Sequence, residues 1–105
     1  MTPLETLKAA RQLISDPAKW TQGAQSRDKL GHPYAFDTDK AVCWCALGAI
    51  ERVAGRYSSE RFEASTKLRS ISPKGLVIDF NDTHTHAEVL ALFDAAIAEL
   101  EGAAT

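Results

Sequence analysis

The run Ala41-Val-Cys-Trp-Cys-Ala-Leu-Gly-Ala-Ile50 constrains this chain more than any other feature. It holds no charge, in a protein where 25% of residues are charged. A helix that is apolar on every side must be enclosed by the rest of the fold. Asp37, Thr38 and Asp39 supply capping candidates ahead of the run, and Gly55 supplies a left-handed stop behind it. The expectation is a buried central helix over about 38–54. Both cysteines and Trp44 fall within it, so any thiol chemistry would be found there.

The elements around it follow from local signals. At 105 residues the chain is long enough for one core and too short for two, giving a single helical domain over 1–105. Thr2-Pro3-Leu4-Glu5 combines a capping box with proline at the first helical position. Leu4, Leu7, Ala10, Leu13 and Ile14 then share a face until Ser15-Asp16-Pro17 ends the helix. Trp20 to Ala24 reads as a short helical turn that buries Trp20. Ser58-Ser59-Glu60 opens a weaker helix to about Leu68, with Phe62 as its inward anchor. Leu76 to Phe80 has the branched, apolar character of a short extended segment. Thr85-His-Ala-Glu88 is a second capping box, followed by Val89, Leu90, Phe93, Ala96, Ile97 and Leu100 on one face. The predicted fold class is mainly all-α: a compact bundle of about four helices around the central one, with at most one extended segment near 76–80.

Charge is unevenly spread. Between Arg52 and Lys74 lie six basic and two acidic residues; beyond Lys74 lie six acidic residues and no Lys or Arg. One reading is that the basic segment (Arg56, Arg61, Lys67, Arg69) and the acidic end (Glu88, Asp94, Glu99, Glu101) neutralise each other. The other is that the acidic face meets a basic partner. A net charge of −2 argues against nucleic acid as the partner of the 52–74 segment. No apolar stretch reaches the roughly 20 residues needed to cross a bilayer, and Met1 to Thr6 lacks the pattern of a secretory signal. Two cysteines one residue apart staple nothing distant, which fits a reducing cytoplasm.

Four constellations could carry chemistry. Cys43-Trp44 near a helix start resembles the setting of a thiol nucleophile, with His84 or His86 as base; free cysteine is also a common buried packing residue, and that reading is preferred for both thiols. Cys43, Cys45, His84 and His86 have zinc-ligand chemistry, but residues two apart on a helix diverge by about 200°, so no metal or cofactor is expected. The basic middle segment could contact nucleic acid. Asn81-Asp82-Thr83, ahead of a helix, reads as turn and cap chemistry.

Taken together, Trp20-Thr-Gln-Gly-Ala24, Trp44-Cys-Ala-Leu-Gly-Ala49, Phe80-Asn-Asp82 and Glu88-Val-Leu-Ala-Leu-Phe93 resemble a family of small bacterial and phage proteins of unknown function. Its pattern runs W-x-Q-G-A, W-C-x-x-G-A, W-N-D. Phe80 stands where the pattern has tryptophan, and Thr83-His-Thr-His86 replaces an arginine-threonine pair. Cys45 matches the motif; Cys43 is additional. The resemblance implies no activity. It implies that Trp20, Trp44, Gly48, Phe80, Asn81 and Asp82 form one structural constellation. Without a catalytic set, the expected function is non-enzymatic binding of a protein partner, as an adaptor or inhibitor; a cysteine-dependent hydrolase or transferase and a nucleic-acid binder are the alternatives.

Overall fold

The computed structural model describes residues 1–34 and 39–103. Helix α1 (Pro3–Leu13) starts as its sequence dictates. The Thr2 hydroxyl accepts from the Glu5 amide at 3.1 Å, and the Glu5 carboxylate accepts from the Thr2 amide at 2.8 Å. This satisfies donors that a helix start otherwise leaves open. Leu7, Ala10 and Ile14 are thereby turned inward and fully buried. Asp16 then caps a 3-10 turn over Pro17–Lys19. Trp20 follows in extended backbone, bridged to Trp44, and not in the helical turn expected there.

The apolar run is the main correction. Of the helix expected over 38–54, Thr38 lies outside the described residues, and so does Asp37 among the expected caps. The remainder is two elements. Cys43–Trp44 form strand β3, and α2 begins only at Ala46 and ends at Ala54. Strands β1 (Ser26–Arg27) and β2 (Pro33–Tyr34) complete a small antiparallel sheet in the order β2-β1-β3, pairing Ser26 with both Tyr34 and Trp44. An uncharged run signals burial equally for strand and helix. Here Val42, Cys43 and Trp44 have β-favouring shapes, and β1 supplies a ladder for them. Cys45 is the hinge: it caps α2, its Sγ accepting from the Gly48 amide at 3.3 Å. The divergence of the two thiols around a helix therefore does not apply, because Cys43 and Cys45 stand on extended backbone.

A second correction concerns residues 76–80. Helix α3 (Ser59–Ile71) is followed by a turn with Lys74 and Gly75 at positive φ, and then by α4 (Val77–Thr83) where an extended segment was expected. The helical period is hidden in the sequence because one of the inward positions is polar. Val77 and Asn81, four residues apart, are the buried pair, so the apolar string Leu76 to Phe80 is only partly core. Phe62, expected as the inward anchor of α3, is 64% exposed; Ala64 and Leu68 are the residues that α3 buries. Helix α5 (His86–Ala103) opens with the expected reciprocal bonds between Thr85 and Glu88.

Helix α1 packs on α2, α3 and α5, while α2 lies against α1, α3 and α4. The core gathers Leu7 and Ile14 from α1, Ile50 from α2, Leu68 from α3, and Val89 and Phe93 from α5. The fold is mainly helical and compact, but among the described residues it has five α-helices and a small sheet. The expected bundle of about four helices has no place for this sheet. None of the described helices is long and apolar enough to cross a membrane.

Candidate functional site

Asn81 stands at the junction of sheet and helices. Its Oδ1 accepts from Trp20 Nε1 at 2.8 Å and from the Ala46 amide at 3.0 Å; its Nδ2 donates to Thr21 O at 3.0 Å and Asp82 Oδ1 at 3.1 Å. All four hydrogen-bonding positions of the amide are used. The neighbours extend the clasp. Gln22 Nε2 donates to Asn81 O and His84 O, and the Gly23 amide donates to Asp82 Oδ1. Gly48 completes it from the other side, where an added Cβ would collide with the Gln25 carbonyl; the Cys45 amide donates to that same oxygen at 3.1 Å. The structure thus brings Trp20, Trp44, Gly48, Asn81 and Asp82 together around the start of α2. Phe80 sits at the rim, stacked on His84 with ring centroids 3.7 Å apart. The early amides of α2 are engaged by Asn81 and Cys45, so this helix end presents no open anion site.

The thiols are held by the same architecture. Burial pushes the Cys45 thiol up to about 11, with Asp82 and Glu51 adding to the rise and the Gly48 and Leu47 amides opposing it. A nucleophilic cysteine needs the opposite environment. Cys43 is half-buried on β3, its Sγ 4.0 Å from Arg27 O. His84 and His86 each engage backbone: His84 Nδ1 lies 2.9 Å from Phe80 O, and His86 Nε2 lies 2.7 Å from Ile14 O while its ring tilts against Trp20. A carbonyl can only accept, so both of those ring nitrogens carry a proton. Among the described residues, no three of His, Cys, Asp and Glu gather as a metal site would require.

The acidic residues of α5 are engaged within the fold. Asp94 takes two bonds from Arg11 of α1, Glu101 pairs with Lys8 at 3.1 Å, and Glu99 pairs with Lys67 of α3 at 2.6 Å. Glu88 caps its own helix, and the Thr85 amide and hydroxyl hold its carboxyl below the usual range. Only one of these partners, Lys67, comes from the basic middle segment. Arg61 reaches inward to the buried Glu51 at 3.1 Å, and the Arg56 guanidinium lies over the Tyr57 ring.

A different surface stands out. Between α3 and α4 runs an open groove of about 300 Å³, with Leu47 and Val77 at its base and Phe62, Leu76 and Ile78 along it. Phe62 is 64% exposed, Leu76 51% and Ile78 41%. Arg61 and Arg69 line the same groove. Two of the basic residues singled out from the sequence therefore meet here, whereas Arg56 and Lys67 are not among its lining. The sequence reading missed the apolar half of this surface, because it assigned Phe62 inward and Leu76 and Ile78 to a short extended segment. The available signal was the spacing of Val77 and Asn81, which puts Leu76 and Ile78 off the buried face once helix is assumed.

No curated protein and no solved structure matches the chain. A family model described as a family of unknown function (DUF6197) matches residues 1–99, and the chain belongs to that family.

Proposed function

We propose that this protein is a non-enzymatic binding module for a protein partner, acting as an adaptor or inhibitor in the cytoplasm, with the α3–α4 groove as its contact surface. The observation that carries this reading is the grouping of Phe62, Leu76 and Ile78, all exposed, along one groove. Contiguous apolar surface is costly in water, and such patches mark interaction sites more often than scattered exposed residues do. The acidic face of α5 contributes less to this reading because Asp94, Glu99 and Glu101 already hold intramolecular partners. A cysteine-dependent activity has less support, since Cys45 is buried with a raised pKa and both His84 and His86 are tied to backbone carbonyls.

A photo-crosslinking amino acid placed at Phe62 tests the reading in cells that naturally produce the protein. The expected result is a discrete crosslinked protein from this position and none from exposed Ala98 on α5. Equal labelling from both positions, or none from Phe62, refutes it.

A further inference from the structure

The groove also carries information about the chemistry of what binds it. Its two cations differ. Arg61 is committed to Glu51 beneath the groove, with Nη2 3.1 Å from Oε1. Arg69 is exposed, and no hydrogen bond or ion pair engages its guanidinium among the described residues. A guanidinium left open beside exposed apolar side chains is an arrangement suited to a carboxylate delivered together with apolar contacts. Among the described residues no acidic side chain lines the groove, so none of them would repel such a group.

Other ligand classes fit less well. A single-stranded nucleic acid needs a track of cations and several stacking platforms; this groove offers one uncommitted arginine and one aromatic ring, among the aliphatic side chains of Leu47, Leu76, Val77 and Ile78. A small cofactor is bound in enclosed pockets that bury most of it, whereas this groove is open along α4. A second copy of this chain would have to bring an acidic face, and the carboxylates of α5 at Asp94, Glu99 and Glu101 are engaged within their own fold.

We infer that the α3–α4 groove binds a short acidic amphipathic segment of another protein, whose apolar side chains pack on Phe62, Leu76 and Ile78 while a carboxylate pairs with Arg69. This rests on the groove being the contact surface. The occupied length is set by α4: its seven residues span about 10 Å at the helical rise. The segment is therefore only a few residues of extended chain or about two turns of helix. Docking leaves the Arg61–Glu51 pair intact, so specificity for acid falls on Arg69 and the apolar positions supply most of the affinity.

Panning the full-length chain against a displayed library of random dodecapeptides tests this. Enriched peptides should combine at least two large apolar residues with Asp or Glu. One synthesised from the enriched set should lose affinity about tenfold on R69E, and regain it when its acid is exchanged for lysine. F62D and I78D should abolish binding with unchanged circular dichroism, since both side chains point outward. Peptides without acids, or indifference to R69E with sensitivity to F62D, would overturn the acidic partner while leaving the groove in place. Absence of enrichment, or peptides indifferent to F62D and I78D, would overturn both readings. Tighter binding of a random single-stranded oligonucleotide, or a dimer of this chain dissolved by F62D, would overturn the acidic segment as the occupant.

Discussion

Replacing Asn81 with alanine removes four hydrogen bonds with one substitution. The consequences are unequal across its partners. Thr21 O loses a donor but lies in a part-buried position, and Asp82 Oδ1 still accepts from the Gly23 amide. The Ala46 amide is buried and the Trp20 indole part-buried, and both lose the acceptor that holds them. Leaving a buried donor unsatisfied costs about 1–3 kcal/mol. Two such donors, with the packing lost at a fully buried side chain, give a loss of about 3–5 kcal/mol. That is a large share of the 5–15 kcal/mol or so that stabilises a domain. Urea unfolding followed by tryptophan fluorescence reads the effect directly, because Trp20 and Trp44 both adjoin the clasp. With a urea slope of about 1–3 kcal/mol/M, the midpoint of N81A should fall by about 2 M. W20F removes only the indole donor, so its cost should overlap with that of N81A by about 1–2 kcal/mol in a double-mutant cycle. A loss under about 1 kcal/mol for N81A, or strict additivity with W20F, would refute the clasp as a cooperative unit.

Three further outcomes follow from the same geometry. G48A should cost about 2–3 kcal/mol in the same unfolding assay, because the Gln25 carbonyl in the way is backbone and cannot swing aside; G102A, with open space around it, should be neutral or slightly stabilising. The Cys45 thiol, raised to about 11 by burial, should resist Ellman's reagent in the native protein until unfolding, with Cys43 reacting first. Its unfolded form loses the proton at lower pH than its folded form, so the stability it contributes is intact below about pH 9. That contribution is lost between about 9 and 11, and a C45A comparison should flatten this part of the stability profile. R61A should destabilise by about 3 kcal/mol by stranding the buried Glu51 carboxylate, and E51L in the same chain should recover most of the loss; calorimetry of the single and double variants distinguishes this from lost packing.

The sequence by itself determined the two ends of the fold and part of the buried material. Capping boxes at Thr2–Glu5 and Thr85–Glu88 act through bonds three residues apart. Such signals are written locally, and helices α1 and α5 accordingly lie where the residues put them. The uncharged run from Ala41 to Ile50 announced burial correctly for Trp44 to Ala46 and Gly48 to Ile50, whereas Val42 is 47% exposed. Only the tertiary structure decided what backbone the run adopts. β1 stands beside Cys43 and Trp44 to accept a strand, and Asn81, 35 residues from Ala46, supplies the acceptor that starts α2 there. A polar residue used as core likewise hid the helical period of α4, since Asn81 is buried only because Trp20, Thr21 and Ala46 converge on it. The groove was decided at the same level: whether Phe62, Leu76 and Ile78 face the core or water depends on how α3 and α4 rotate against α2, and no local preference of those residues fixes that rotation.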